Sequence, residues 1–421
     1  MKRFLKYLTL TVVLMGIYVI TVFFGTDKGW WYTPFTQETA ADTFMASVQE
    51  ELQKEFVGNM AIAVFEDGKL ALESFYSKGK TVDRNTVFQL ASLSKFVSAI
   101  GVLKLVQEGN LDLDAPASQY LSRWQLPKGD FDRNEVTIRR LLSHTAGLTD
   151  QLGYAGFENP DKIQSLEASL TKAIDADPGS NGVLKVGIAP GSEWRYSGGG
   201  FTLLQLIVEE VSGQTFDAYM KAEVFGPLQM TSSFYQWDES FRESLSGFYE
   251  SDGSKAIHRY YTAQAASALY STLADLEKLF FFLDEDNADR GPLNSKFKRM
   301  MRKAEAKTLG TPIYGLGTFL FTEVEEGEFM IGHDGKNNPP INTAFRYNPV
   351  ANSGIIILTT GSTDFATRIA SDWVFLQTGK IDVLLFVMQQ EKMIQIMLMG
   401  LGIILILLMA IGLMRSVKNN R

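Results

Sequence analysis

Residues 90–103 read LASLSKFVSAIGVL, which places the hydroxyl of Ser92 and the ammonium of Lys95 at the start of an apolar stretch. A Ser-x-x-Lys string alone is a weak signal, because the chain contains three others, starting at Ser77, Ser169 and Ser295. Those three lie in polar or basic surroundings. The helix predicted after Ser92 is apolar on nearly every side and is therefore predicted to be buried. A buried ammonium is costly unless it has a partner or a chemical task.

The spacing of this pair has a chemical meaning. Residues three apart on a helix are neighbours, so we expect the Lys95 amine to reach the Ser92 hydroxyl. The first turn of a helix also carries unpaired backbone N–H groups, which can stabilise an oxyanion. The pattern indicates a nucleophile, its proton partner and part of an oxyanion hole within one turn. The alternative interpretation is that Ser92 only caps the helix.

Two further stretches place polar residues beside turns. Residues 189–213 read APGSEWRYSGGGFTLLQLIVEEVSG, with Tyr196 just before three glycines and another apolar helix. Residues 329–349 read FMIGHDGKNNPPINTAFRYNP, where a predicted strand ends at His333-Asp334-Gly335-Lys336. Taken separately, each stretch also has an interpretation without function. Tyr196 would be a half-buried aromatic side chain before a flexible turn, and residues 333–336 would be an ordinary strand end.

The pattern of the remaining chain predicts an α+β domain. Asp67-Gly68 marks a hairpin between two strands near the N-terminal end. Residues 111–190 are rich in helix, loop and turn signals and show no clean strand period. Strands at both ends around a helical middle predict a sheet assembled from distant segments. Helices are predicted at about 41–57, 94–109, 200–212 and 363–378, and late strands at about 313–322, 328–333, 342–348 and 354–360.

Both ends of the chain carry long uncharged segments. Residues 7–26 have no charge over 20 positions and residues 393–414 have none over 22. Each segment is long enough to cross a bilayer as one helix. Basic residues precede the first span and follow the second, which predicts that both tips are cytoplasmic and that the region between them lies outside. A cleaved signal peptide is the alternative for the first span.

Composition excludes several classes of function. A formal charge of −8 and a pI near 5.2 argue against nucleic acid as a partner. Cysteine is absent, and none of the three histidines lies in a G-x-S-x-G or H-E-x-x-H setting. The sequence therefore predicts neither a Ser-His-Asp triad nor a metal site, and no cofactor is expected.

Five fragments, taken in their order and spacing, resemble a known superfamily. They are FQLASLSK at 88–95, LLSHTAGL at 141–148, APGSEWRYSGGG at 189–200, AASALYST at 265–272 and GHDG at 332–335. The chain resembles the serine β-lactamases and penicillin-binding proteins over about residues 55–376. It is most similar to the class C-like branch, which includes D-Ala-D-Ala carboxypeptidases, esterases and D-aminopeptidases.

The resemblance implies a role for each matching residue. Ser92 would be the acylated nucleophile, Lys95 its proton partner, and Tyr196 the general base that returns the proton to the leaving group. The strand at His333, Asp334 and Gly335 would line the site, and the N–H of Lys336 would complete the oxyanion hole with that of Ser92. His144 falls in a family loop interpreted as structural.

The resemblance also implies a fold and an organisation of the chain. The implied fold is an antiparallel sheet flanked by helices, with a mostly helical subdomain between its halves. The predicted divisions are an anchor at 1–26, a connector at 27–40, a hydrolase domain at 41–380, a juxtamembrane segment at 381–392, a transmembrane helix at 393–414 and a cytoplasmic tail at 415–421.

Three positions depart from the family pattern. Gly198 stands at the Asn of the family's Y-x-N element, and His333 and Asp334 stand at the Lys and Thr of its K-T-G element. A carboxylate at Asp334 is expected to disfavour anionic substrates, because like charges repel. These departures make hydrolysis of another amide or ester a stronger expectation than β-lactamase activity.

The predicted function is therefore a membrane-tethered serine hydrolase with its catalytic domain outside the cytoplasm. Its expected partners are the lipid bilayer and a small molecule or peptide, including peptides derived from the cell wall. A peptidase or amidase acting on D-amino-acid-containing or acylated peptides is placed first, an esterase second and a β-lactamase third. A binding or sensor protein that keeps the fold without turnover is the alternative from another class. The oligomeric state is not predicted.

Overall fold

The computed structural model describes residues 2–149, 153–285, 291–308 and 310–419. The helices are α1 (Lys2–Asp27), α2 (Ala41–Glu55), α3 (Leu93–Gln107), α4 (Ile138–Leu142), α5 (Leu166–Thr171), α6 (Gly198–Ser212), α7 (Phe216–Met220), α8 (Gln264–Ser267), α9 (Leu273–Leu283), α10 (Ser295–Met301), α11 (Phe365–Thr378), α12 (Val383–Met388) and α13 (Gln390–Asn419). The strands are β1 (Met60–Glu66), β2 (Lys69–Tyr76), β3 (Phe88–Gln89), β4 (Tyr270–Ser271), β5 (Ala306–Thr308), β6 (Thr311–Tyr314), β7 (Phe319–Glu325), β8 (Glu328–Asn337), β9 (Ile341–Asn348) and β10 (Ser353–Thr360).

The chain divides into two compact units. Residues 38–370 form the larger unit, and residues 1–37 together with 371–421 form the smaller one. The finer division predicted from the sequence, with boundaries at residues 26, 40, 380, 392 and 414, remains a prediction.

An antiparallel sheet of eight strands organises the larger unit. Its order is β2-β1-β10-β9-β8-β7-β6-β5. The early strand β1 pairs with the late strand β10, with Ile62 opposite Ile357. The predicted sheet from distant segments is confirmed, and so is the α+β class. A short second sheet pairs β3 with β4, with Phe88 opposite Ser271.

Two strand predictions differ from the structure. The single strand predicted at 313–322 is two strands, β6 and β7, separated at Gly315–Gly317. Gly317 has a positive φ of 78°, and a Cβ at Gly315 would lie 2.1 Å from the Met301 carbonyl oxygen. The strand predicted to end at His333 continues as β8 to Asn337, because its polar residues pair with β9.

Helix α3 packs between the sheet and the helical region. Every residue from Leu93 to Leu103 is buried, which confirms the prediction of a buried helix. Phe96 packs against Phe345 of β9, with ring centroids 5.4 Å apart. On another side of the helix, the Tyr219 hydroxyl donates to the Gly101 carbonyl at 2.9 Å. These contacts fix the helix whose first turn carries Ser92 and Lys95.

In the smaller unit, α1 and α13 pack as an antiparallel pair. The Tyr18 hydroxyl donates to the Ile396 carbonyl at 2.7 Å, and the ring of Phe23 lies 5.5 Å from that of Phe386 in the preceding helix α12. Tyr18 also packs on Gly400, where an added Cβ would lie 2.0 Å from the tyrosine ring. Both helices are long and apolar enough to cross a membrane.

Candidate active site

The chain enters α3 through a tight turn at Ala91 and Ser92. Ala91 has a left-handed φ of 48°, and the Leu93 and Ser94 N–H groups bond back to the Leu90 and Ala91 carbonyls at 3.2 and 3.0 Å. Ser92 occupies the N-cap position, yet among the described residues its side chain makes no capping hydrogen bond. The interpretation that Ser92 only caps the helix is therefore wrong.

Lys95 lies one turn further along α3 and is only 2% exposed. Its Nζ lies 3.1 Å from the Ser92 Oγ and 2.9 Å from the Ala266 carbonyl oxygen. The same nitrogen is 4.9 Å from the centre of the Tyr196 ring. The expected contact between Lys95 and Ser92 is present, and Tyr196 joins them.

The segment around α8 fixes the carbonyl that receives Lys95. Ser98 of α3 donates to the Ala265 carbonyl at 3.0 Å. Gln205 of α6 accepts from the Ala265 N–H at 3.3 Å and donates to the Thr262 carbonyl at 3.2 Å. The position of the Lys95 amine is therefore set by two helices and by the segment between Thr262 and Ala266.

Tyr196 is positioned by the start of α6 and by His144. The Ser197 Oγ caps α6 by accepting from the Gly200 N–H at 2.8 Å. The Ser197 N–H donates to the Nδ1 of buried His144 at 3.1 Å, and the His144 ring lies 4.4 Å from the Tyr196 ring. His144, interpreted as structural in the sequence, thus packs directly behind Tyr196.

Burial sets the protonation of Tyr196. Desolvation raises the pKa of Tyr196 above its ordinary value, and the charge of Asp334 adds to the rise. A hydrogen bond with the Ser92 side chain lowers the pKa, but by less than desolvation raises it. Tyr196 is therefore a neutral phenol near pH 7, whereas the role of general base that the resemblance implies needs a phenolate.

His333 is neutral and has a defined tautomer. It is 1% exposed, and burial together with nearby Lys95 lowers its pKa to about 3. Its Nδ1 lies 2.6 Å from the Asp334 carbonyl oxygen, which can only accept, so Nδ1 carries the proton. The Tyr314 hydroxyl then donates to Nε2 at 3.1 Å. His333 supplies no positive charge where the family has a lysine.

Asp334 lies on the opposite face of the sheet from His333. Side chains alternate along a strand, and His333 pairs with Phe345, which packs on α3. Asp334 forms an ion pair with Arg346, whose guanidinium lies 3.5 Å from the centre of the Phe321 ring. The expectation that Asp334 repels anionic substrates loses its basis, because the carboxylate turns away and is paired with Arg346.

Gly335 brings β8 close to the nucleophile. A Cβ at this position would lie 2.0 Å from the Leu90 carbonyl oxygen and 2.4 Å from the Thr343 hydroxyl. The absence of a side chain lets the strand lie against the segment that leads into Ser92. Lys336, the next residue, is exposed.

Beyond Gly332 the strand β8 has one free edge. Pairing with β7 ends at Phe319 opposite Gly332, whereas pairing with β9 continues from Ile331 to Asn337. Within the described residues, no strand therefore pairs with the backbone of residues 333–337 on the β7 side. Such an edge can accept an extended peptide as an additional strand.

Several groups at the site were not found from the sequence. Trp194, Tyr314 and Phe319 surround Tyr196 and His333, with the Tyr196 and Phe319 rings stacked at 6.3 Å. Tyr314 lies in a strand that the sequence predicts, but nothing in the sequence marked its side chain as part of the site, and the Ala266 carbonyl carries no side-chain signal at all. Among the residues that the structure describes, no group of three or more histidine or acidic side chains is placed to hold a metal ion.

The comparison with known families fits this geometry. The family model described as Beta-lactamase matches residues 44–377 of the chain. The chain belongs to the β-lactamase family. The predicted recognition is thereby confirmed, and the family includes hydrolases of the penicillin-binding-protein type.

Individual β-lactamase-family relatives are distant. Protein flp of Staphylococcus aureus is 25% identical over 342 residues, which cover 76% of this chain and 63% of that protein. The chain thus spans less than two thirds of that relative's length. The octameric penicillin-binding protein homologue of Pyrococcus abyssi has a TM-score of 0.65 at 23% identity, with 81% of this chain and 78% of that chain covered.

A D-stereospecific amidohydrolase from a Streptomyces species also shares the fold. Its TM-score is 0.59 at 18% identity, with 78% of this chain and 97% of that chain covered. At this level of identity the likeness establishes the fold, and catalytic roles must be argued from the residues of this chain.

Proposed function

We propose that this protein is a serine hydrolase that forms an acyl-enzyme on Ser92. The observation that carries the proposal is the Ser92 hydroxyl itself, which does not cap its helix and lies 3.1 Å from the buried Lys95 amine. A serine at a helix start ordinarily satisfies a backbone N–H. Here it contacts a potential base instead.

The protonation of Tyr196 suggests how the proton moves. In the reactive state Lys95 is a neutral amine, and the Ser92 Oγ attacks the carbonyl carbon while its proton passes to that amine. As the carbon–nitrogen or carbon–oxygen bond of the tetrahedral intermediate breaks, the neutral Tyr196 phenol donates its proton to the leaving group. Lys95 then returns a proton to Tyr196, and water hydrolyses the acyl-enzyme by the same steps in reverse.

The start of α3 and the edge of β8 would bind the substrate. The backbone N–H groups of Ser92 and Lys336 are proposed to stabilise the oxyanion. The free edge at residues 333–337 would pair with the main chain of an extended substrate. Main-chain pairing favours a peptide or an acylated amino acid over a compact ester.

The chemistry of His333 narrows the substrate class. Neutral His333 occupies the place of the family lysine, so a substrate carboxylate finds no added positive charge there. We infer that the preferred substrate is a D-amino-acid-containing or N-acylated peptide whose end near His333 is neutral. The Streptomyces protein that shares the fold is named a D-stereospecific amidohydrolase; an ester is the second candidate.

Membrane tethering is proposed from the pairing of α1 and α13. Tyr18 bonds to Ile396 and packs on Gly400, contacts that a cleaved first span could not make. We therefore propose that both spans are retained, with the catalytic unit outside the cytoplasm.

Protease accessibility tests this topology. Protease added outside spheroplasts should digest the catalytic unit, while tags at both tips stay protected. Protection of a tag near Gly253 would indicate the opposite topology.

A substrate panel tests the hydrolase proposal. The full chain in detergent would be given D- and L-aminoacyl anilides, acylated peptides, p-nitrophenyl esters and a chromogenic cephalosporin. We expect hydrolysis of D-configured or acylated substrates with neutral ends, abolished by Ser92→Ala. Turnover that is unchanged in Ser92→Ala would rule out the assignment, and a fluorophosphonate probe that fails to label the native chain would favour a binding protein.

A further inference from the structure

A cavity lies behind α8, and neither Ser92, Lys95 nor Tyr196 is among its lining residues. It has a volume of about 290 Å³. The Ala266 carbonyl points to Lys95 on one side of α8, whereas Gln264 and Ala268 face this cavity on the other. Aromatic rings and amides dominate its lining: Tyr235, Trp237, Tyr260, Tyr261, Tyr270, Gln164, Gln205, Gln236 and Gln264.

Two of the aromatic rings form a fixed corner. The Trp237 and Tyr260 rings lie 6.4 Å apart at 71° to each other. The Trp237 Nε1–H donates to Glu239 at 2.9 Å, and Tyr260 exchanges two backbone hydrogen bonds of 2.8 Å with Phe157. Tyr260 is tied to a separate segment through Phe157, and Trp237 is held within its own loop by Glu239 and against the Tyr270 ring at 5.4 Å, so the corner is formed before any ligand binds.

Polar groups of the lining fall into two sets. The amides of Gln164 and Gln205 bind backbone groups and serve the fold. Within the described part of the chain, the side-chain amides of Gln236 and Gln264 and the Tyr260 hydroxyl make no hydrogen bond to protein. Gln236 is also exposed, so it lies where a ligand would enter.

The charges at the cavity are already paired. Glu209, the charged residue in the lining, binds Arg123 at 2.6 Å. At the rim, Glu239 binds Arg242 at 2.6 Å and Arg259 binds Glu158 at 2.9 Å. A charged ligand would have to compete with these pairs, whereas a neutral ligand would not.

We propose that this cavity binds a neutral pyranose ring. The electron-rich faces of Trp237 and Tyr260 suit the C–H face of a sugar, and the amides of Gln236 and Gln264 suit its ring of hydroxyls, which donate and accept. The cavity lies near the lower end of the usual range for ligand pockets, which suits one sugar unit of a longer glycan. This inference is independent of hydrolysis at Ser92.

Saccharide binding by the full chain tests the proposal. Cellobiose, maltose and N,N′-diacetylchitobiose would be titrated calorimetrically in an amine-oxide detergent, because maltoside and glucoside detergents would compete. We expect saturable binding of at least one disaccharide. Trp237→Ala should weaken it at least about tenfold and Gln264→Leu several-fold, since stacking and amide bonds both contribute.

Matched variants keep the test decisive. Trp30→Ala removes an exposed tryptophan from the other unit and should leave binding unchanged. Should Trp237→Ala lower the melting temperature strongly, Trp237→Phe and the exposed-site variant Gln236→Leu provide the comparison. The proposal is overturned if no saccharide binds, if all cavity variants bind normally, or if indole occupies the cavity while every saccharide is excluded. Labelling of Ser92 by an acylating probe reports on the hydrolase separately.

Discussion

Helices α3 and α6 both start after a serine, and the two serines have different contacts. The Ser197 Oγ accepts the Gly200 N–H at 2.8 Å and so caps α6. The Ser92 Oγ makes no such bond among the described residues and contacts the Lys95 Nζ instead. The position of a serine at the start of a helix therefore does not determine its role. The role depends on which group its hydroxyl contacts.

The turns before the two helices differ in a related way. Ser197 has an extended backbone with φ of −138°, the usual conformation for a cap. Ser92 is already helical with φ of −67° and ψ of −10°, and the turn is made by Ala91. A helical conformation directs the Ser92 side chain along the helix toward Lys95 and away from the N–H groups that it could cap.

The largest expected effect separates the two serines by reactivity. A fluorophosphonate probe should label Ser92, and Ser92→Ala should abolish both labelling and turnover. Ser197→Ala is the matched control and should still be labelled. Mass spectrometry of the labelled peptide identifies the modified serine. A label on Ser94 or Ser197 would contradict the assignment of Ser92 as the nucleophile.

The next effect concerns the neighbours of Ser92. Lys95→Met and Tyr196→Phe should each reduce kcat by at least about 100-fold, the usual scale for loss of proton transfer. Since burial keeps Tyr196 neutral, its loss should be more severe for substrates with poor leaving groups, such as amides, than for activated esters. Equal losses on matched amide and ester substrates would contradict its role as proton donor.

Acid should destabilise the start of α6 through His144. Its Nδ1 accepts the Ser197 N–H, and burial lowers its pKa well below the ordinary value; the pKa values of His258 and His333 are lowered to about 4 and about 3. The unfolded chain binds these protons near pH 6.5 and the folded chain does not. The free energy of unfolding should therefore fall as pH decreases from 6.5 toward 4.

Denaturant titrations at several pH values would measure this effect. Asp175 acts in the opposite direction, because burial raises its pKa to about 6 and the folded chain keeps its proton. Replacing His258 with Gln should flatten the pH dependence. A free energy of unfolding that stays constant between pH 6.5 and 4 would contradict the buried neutral histidines.

The smallest effect returns to capping. Ser197→Ala should lower the free energy of unfolding by about 1 kcal/mol, the typical value for a lost N-cap. Ser92→Ala should lower it by less, because no backbone N–H loses a partner and the Lys95 amine keeps the Ala266 carbonyl. Equal destabilisation by the two substitutions would mean that Ser92 contributes to capping after all.

The sequence predicted the local part of this architecture well. The Ser92 and Lys95 pair, the buried helix and the hairpin at Asp67-Gly68 depend on spacing within one element, and the structure has all three. The break between β6 and β7 was missed because the close approach of Gly315 to Met301 involves separate segments. The partner of Asp334 was missed for the same reason, since Arg346 belongs to the neighbouring strand.

The unpaired edge of β8 also creates a risk of aggregation for the protein. An unpaired strand edge can join the edge of another copy and start aggregation. Here the free segment is only residues 333–337 and carries the charged, exposed Lys336. The segment is followed closely by Pro339, which has no N–H to donate. The edge is thus long enough to pair with a short peptide, but its length, its exposed lysine and the proline that follows disfavour its use as a template for polymerisation.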